Sequence, residues 1–185
     1  MKFTAGYWSM RPGMRPYYAV HVHDIALEPD ALVVYAPTSR VSDRSHTLDQ
    51  PLLTLRFSSP ADNVIRVQMW HHKGGLSRQP SFELKPQPAP HIKIQDDAQA
   101  ASLTSGQLTV CVEKAGDWNV AFKDGSRVIT SSGVNAAGFV DTPDGRFIHE
   151  QLALDVGECV YGLGERFTPF VKNGQVVDMW NEDGG

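Results

Sequence analysis

Histidines come first among the side chains that could do chemistry. On a strand, His21 and His23 would point both rings to one face, while His71 and His72 are adjacent. Zinc needs three or four converging ligands. Neither pair has a cysteine or carboxylate at ligand spacing, so no metal or cofactor is assigned. His71-His72-Lys73-Gly74-Gly75 reads more simply as a solvated turn after a strand. Gly162-x-Gly164 is half of a dinucleotide fingerprint, without the third glycine or a surrounding βαβ unit. No Gly-x-Ser-x-Gly elbow is present. Cys111 and Cys159 have no basic neighbour to activate them, and each reads as a small hydrophobe or weakly exposed thiol rather than half a disulfide.

The densest stretch of glycine, aromatics and charge is the last. Val160-Tyr161-Gly162-Leu163-Gly164-Glu165-Arg166-Phe167 runs on to Trp180-Asn181-Glu182-Asp183-Gly184-Gly185. Glycines on either side of Leu163 permit backbone angles closed to other residues and the close approach of another backbone. Glu165 and Arg166 are adjacent, point different ways, and are expected to pair with groups other than each other. The chain stops on two glycines, neither a capped helix nor a finished strand. That ending reads as a cut, so the expectation is the first part of a larger enzyme with its chemistry beyond residue 185.

These residues carry a resemblance. Tyr161-Gly-Leu-Gly-Glu-Arg-Phe167, followed by Trp180-Asn-Glu-Asp183, resembles the end of the N-terminal domain of family 31 glycoside hydrolases, the α-glucosidases and α-xylosidases. The likeness is closest to the bacterial α-xylosidase branch. Leu48–Phe57, Ser59-Pro60 and Val64-Ile65-Arg66-Val67 resemble early strands of the same domain. Retaining glycoside hydrolysis uses two carboxylates about 5–5.5 Å apart. The resemblance implies two aspartates in that role, both on a (β/α)₈ barrel that follows the N-terminal domain. Nothing here matches the family's catalytic motifs, so no catalytic residue is assigned and the chain alone is expected to be inert.

The same resemblance gives the final loop a role. In the family this loop reaches over the barrel mouth, and its aspartate hydrogen-bonds sugar in the leaving-group (+1) subsite. That role falls on Asp183, whose carboxylate can accept from two vicinal hydroxyls; without the family, Asp183-Gly184 reads as a turn. Many α-glucosidases carry a hydroxyl residue two positions later, where this chain has Gly185, as suits the α-xylosidase branch. Trp180 is expected to pack onto the barrel. Tyr161, Gly162, Gly164, Glu165, Arg166 and Phe167 are expected to form an interdomain motif, with Glu165 and Arg166 hydrogen-bonding between domains.

The rest of the chain must position that loop. Ala19–His23, Ala31–Ala36, Leu53–Phe57, Ile65–Met69, His91–Ile94 and Leu108–Val112 are short, β-branched or alternating runs divided by Pro, Gly and Asp, and each reads as a strand. A Pro-rich connection carries Pro80, Pro86, Pro88 and Pro90. Trp118, Val120 and Phe122 alternate into Lys123-Asp124-Gly125-Ser126 and return as Arg127-Val128-Ile129, a hairpin whose Asp-Gly supplies the positive angles of a tight turn. A second hairpin joins Gly138-Phe139-Val140 to Arg146-Phe147-Ile148. Asp96 to Ser102 is expected to form one helical turn at most. This pattern predicts an all-β, antiparallel β-sandwich, and the resemblance implies the galactose-mutarotase type. The expected division is a sandwich over 1–159 and a glycine/aromatic segment over 160–185 leading to the barrel.

At 185 residues, such a chain buries roughly 70% of its unfolded surface. A formal charge of −4 argues against nucleic-acid or anionic-membrane partners. No apolar run suits a signal peptide or membrane span, and a cytoplasmic location is expected. Tyr7-Trp8 reads as an arm packing its rings on the sandwich, with contact to a neighbouring subunit or sugar as the alternative. The partners implied are the catalytic barrel, an α-xyloside or α-glucoside bound by the parent, and further subunits. An exposed apolar face is expected where the barrel would sit, with self-association. Two other readings compete. One is a free-standing carbohydrate-binding sandwich using Trp8, Trp70 or Trp118, weakened by Trp118's core pattern. The other is a mutarotase-like enzyme, which needs a His and a Glu meeting in a cleft.

Overall fold

A computed structural model describes residues 3–5, 9–48, 50–72, 74 and 90–179. The chain divides into two compact units, Gly13–Ala153 and a second formed by Met1–Pro12 with Leu154–Gly185. In the second, β1 (Thr4–Ala5) pairs antiparallel with β2 (Ser9–Met10). Residues 154–179 carry turns without a strand or helix.

Gly13–Ala153 holds the sandwich. Its strands are β3 (Arg15–Tyr18), β4 (Asp24–Glu28), β5 (Ala31–Pro37), β6 (Leu52–Ser58), β7 (Arg66–Trp70), β8 (Ile92–Asp96), β9 (Ala100–Ser105), β10 (Leu108–Glu113), β11 (Val120–Asp124), β12 (Arg127–Ser132), β13 (Gly138–Thr142) and β14 (Gly145–His149). Every pairing is antiparallel, in three sheets ordered β4-β5-β6-β7, β12-β11-β10-β9-β8 and β14-β13-β3.

Period-two alternation builds the core. Leu32 lies opposite Phe57 and Val34 opposite Leu55, so one face of β5 and β6 is wholly apolar. In the five-stranded sheet Leu103 faces Val110, and Val110 faces Phe122. Both apolar faces belong to one buried cluster that also takes in Trp118 and Phe139. Each fully buried Leu, Val or Phe side chain contributes about 1.5–3 kcal/mol. Trp118 is 1% exposed, and its Nε1 donates to Ser132 Oγ at 3.2 Å. Both expected hairpins form, as β11–β12 and β13–β14. In the third sheet Gly138 lies opposite Tyr18, and a Cβ there would sit 2.2 Å from the Tyr17 carbonyl oxygen.

One local expectation needs correction, and two turns are added to it. His21 and His23 lie on no strand. Successive backbone groups in this stretch bond to different partners: Ala19 N–H to Ala137 O, Val20 N–H to Pro37 O, and His23 N–H to Tyr35 O. No single ladder can hold them, and the strands form on either side as β3 and β4. The Asp96–Ser102 stretch is not helical either: Asp97 Oδ1 accepts from the Gln99 and Ala100 amides, closing a tight turn between β8 and β9. A 3-10 turn instead forms at Arg44–Thr47, capped by Asp43 accepting from Ser45 N–H.

Candidate functional site

The glycine/aromatic motif forms a self-contained turn. Gly162, Leu163 and Gly164 have φ of 93°, 68° and 85°, three successive residues in the left-handed region. Leu163 alone bears a Cβ there, a conformation costly for an L-residue. A Cβ added at Gly162 or Gly164 would meet no atom within 4 Å. In the described structure these glycines are therefore needed for their backbone angles, not for close approach of another backbone. Arg166 Nε donates to Leu163 O at 3.0 Å, closing the turn, and Glu165 points to solvent.

A second layer of bonds holds the turn's flanks together. Val160 N–H donates to Asn173 Oδ1 at 2.7 Å, and Asn173 Nδ2 to Glu158 O at 2.9 Å. Lys172 is buried; its N–H donates to Val160 O and its Nζ to Thr168 Oγ1 and Pro169 O, both at 2.8 Å. Those bonds satisfy an ammonium that burial would otherwise penalise. The aromatics stay outside this network. Tyr161 and Phe170 meet with ring centroids 5.1 Å apart, and Phe167 is 99% exposed. The turn is thus a hydrogen-bonded loop displaying apolar rings. Trp180 and Asp183 lie outside the described residues, as do Tyr7, Trp8, Lys73, Gly75, Pro80, Pro86 and Pro88.

The histidines do not assemble a metal site. The His21 and His23 rings are 6.4 Å apart and edge-on. His21 Nδ1 is buried without a hydrogen-bond partner among the described residues, and burial, with Arg40 and His23 nearby, lowers the ring's pKa. His71 packs its ring 5.0 Å from Phe139, which stacks on Tyr17 at 4.8 Å. Arg146 lies over Phe139, with its Nε 3.4 Å from Asp141. Burial lowers the His71 pKa, Arg146 and His72 add to this, and Asp141 opposes it. His71 is therefore part of a packed ring cluster, while His72 and Gly74 are exposed, as expected of a solvated turn. No three His, Cys, Asp or Glu side chains converge among the described residues. Cys111 and Cys159 are free thiols.

Sequence reasoning missed Glu150. Its carboxyl borders an apolar cavity between the two larger sheets, and burial raises its pKa while Ser132 opposes that. The residue follows β14 directly and no sequence pattern marks it; only the tertiary fold brings it beside Trp118 and Ser132. No histidine is among the residues lining that cavity, so the His–Glu pair of a mutarotase is not assembled there. Buried Trp118 cannot stack on sugar.

Comparison with known proteins fixes the family. The family model described as the glycosyl hydrolase 31 N-terminal galactose mutarotase-like domain matches residues 54–185. The alpha-xylosidase XylQ of Lactiplantibacillus pentosus is 35% identical over the whole chain, which spans 24% of that protein. An alpha-xylosidase of Emericella nidulans is likewise 35% identical over the whole chain, which spans 26% of its length. The chain thus covers about a quarter of each relative. Among solved structures, a cycloalternan-forming enzyme from Listeria monocytogenes, in complex with a pentasaccharide substrate, superposes with a TM-score of 0.64 at 15% identity, over 88% of this chain and 14% of that one. At that identity it supports the fold alone. With an all-β antiparallel fold, a family match over most of its length and α-xylosidase relatives across all of it, this chain belongs to the N-terminal galactose mutarotase-like domain of α-xylosidase-like family 31 glycoside hydrolases.

Proposed function

We propose that the chain works as one part of a retaining α-xylosidase, supporting a catalytic barrel supplied by further polypeptide and lining its leaving-group subsite through Asp183. The observation that carries this is the whole-chain similarity to two alpha-xylosidases that are about four times longer. The turn at Gly162–Gly164, with Tyr161, Phe167 and Phe170 exposed, supports a role for this segment as an apolar contact to the barrel. Glu165 and Arg166 flank that contact, and the role proposed for Trp180 is the one the family resemblance implies, packing onto the barrel. The hydrolytic carboxylates lie on the barrel, and the 185-residue chain alone is inert.

Substituting Asp183 in the full-length parent tests the subsite role. Asp183→Ala is expected to lower kcat/KM for an α-xylosyl disaccharide about tenfold to a hundredfold, since hydrogen bonds to charged groups are worth roughly 1.5–3 kcal/mol. It should leave α-xylosyl fluoride, whose leaving group is too small to fill the subsite, nearly unaffected. Equal losses on both substrates, or none, would remove Asp183 from the subsite. Turnover of an aryl α-xyloside by the purified 185-residue chain would show that the carboxylates are here after all.

A further inference from the structure

Asp141 stands between two arginines. On β13 it lies opposite Arg146 of β14 and Arg15 of β3, and two residues earlier Phe139 lies opposite Tyr17. Residues directly opposite, or two apart on one strand, share a face of a sheet. The three-stranded sheet therefore presents two rings and three charges on one side. The end of the four-stranded sheet where β6 begins and β7 finishes brings Pro51, His71 and His72 to that face. A cavity of about 270 Å³ is lined by those three residues and by Tyr17, Phe139, Asp141 and Arg146. Arg15 borders a neighbouring cleft instead.

Rings and charges divide the cavity between them. Phe139 is 3% exposed and forms a buried floor, and the Tyr17 and His71 rings packed on it are half-buried. Arg146 and Asp141 meet through one long bond, Nε to Oδ1 at 3.4 Å, with side chains 55% and 40% exposed. That bond leaves the Arg146 Nη donors and Asp141 Oδ2 without a protein partner among the described residues.

We infer that this cavity binds one neutral pyranose unit. An anion drawn to Arg146 would meet the Asp141 carboxylate, and a cation drawn to Asp141 would meet Arg146. Burial and Arg146 hold His71 below its ordinary 6.5, so its ring adds no charge near neutral pH. An apolar ligand would desolvate both charged groups without replacing their hydrogen bonds. A neutral polyol avoids each of these costs. Vicinal hydroxyls accept from Arg146 Nη and donate to Asp141 Oδ2 at once, while the C–H face of a sugar ring lies on the half-buried rings. Drug-sized ligands fill pockets of about 300–1,000 Å³, so 270 Å³ suits a single ring. Every residue involved belongs to Gly13–Ala153, so the inference stands whether or not Asp183 touches substrate.

Carbethoxylation of histidine tests it in the full-length parent at about pH 7.5, where histidine is largely neutral. Modification is read residue by residue by mass spectrometry, with D-xylose and D-glucose as probes. Either sugar is expected to slow modification of His71 or His72 saturably, with half-protection at roughly 1–10 mM, and to leave exposed His46 and His91 unaffected. Arg146→Met keeps a stem beside Phe139 and removes the donors. It should raise the half-protecting concentration at least ~10-fold. Protection is scored as a ratio of rates with and without sugar in each protein, so a change in His71 reactivity itself cancels. A further arm needs no variant: glycerol should not protect, and D-glucuronate should protect no better than D-glucose. Absence of protection up to about 100 mM sugar, equal protection by glycerol, tighter binding of D-glucuronate, or protection unchanged by Arg146→Met would each overturn the inference. So would a sugar-free parent in which both histidines are unreactive, because the cavity would then be filled already.

Discussion

Gly138 shows how one residue can be fixed by its neighbour's backbone. Its absent Cβ leaves room for the Tyr17 carbonyl, 2.2 Å from where that carbon would stand. Gly138→Ala therefore forces β3 and β13 apart. Overpacking costs typically about 1–3 kcal/mol, and urea unfolding should report a loss in the upper part of that range. Titratable groups in the sandwich act in opposite directions. Burial holds His21 below its ordinary 6.5, so the stability its neutral ring contributes is present above pH 6.5 and is lost as pH falls through the folded value. Burial raises Glu150 above its ordinary 4.5, so its contribution is present below pH 4.5 and is lost as pH rises through the folded value. Glu150→Gln is expected to raise the melting temperature at pH 7 and leave it unchanged near pH 4, as measured by calorimetry. A fall at pH 7 would show that the carboxylate is held by a stronger bond than Ser132 provides.

At the scale of elements, the turn at residues 162–164 and the β5–β6 ladder place different demands on sequence. β5 and β6 needed only alternation: with Leu32, Val34, Leu55 and Phe57 on one face, the register follows, because a slip of one residue would turn that face to water. On the outer face, Arg56 bridges Glu28 and Asp30 at 2.9 Å each, a half-exposed fork tying the β4–β5 turn to β6. The 162–164 turn depends on backbone angles instead. Gly164→Ala places a second Cβ in the left-handed region, at a cost of about 1 kcal/mol. Amide exchange at Val160 and Lys172, whose bonds close the turn's flanks, should quicken about fivefold. Unchanged exchange would mean that the turn's bonds do not depend on its angles.

Across the whole molecule, apolar surface is the property that most shapes behaviour. Phe167 and Phe170, 99% and 79% exposed, lie on one short loop. Exposed rings gathered on one loop favour association, so the 185-residue chain should sediment as concentration-dependent oligomers. Phe167→Ser with Phe170→Ser should return it to a monomer; persistence of oligomers would move the sticky surface elsewhere, first to Val67 and Ile129 beside the apolar cavity. The alternation at Leu53–Phe57 and Leu108–Val112, and the Asp-Gly turns of the two hairpins, were legible without coordinates, because strand pairing and turn geometry are read from nearest neighbours along the chain. The YGLGERF segment likewise marked the family before any comparison. Ala19–His23 is not a strand because its backbone bonds go to Ala137, to β5 and to the amide of Trp118, and no local pattern encodes partners that distant. Glu150 and the His71–Phe139–Tyr17 cluster were illegible for the same reason. Sequence by itself determined the fold class, the hairpins and the kinship with α-xylosidases, all carried by local periodicity and a contiguous motif. Tertiary structure alone decided which histidine nitrogen is shut off from water, which carboxyl borders an apolar cavity and where that cavity lies, because desolvation and cavity shape arise only when distant segments pack together.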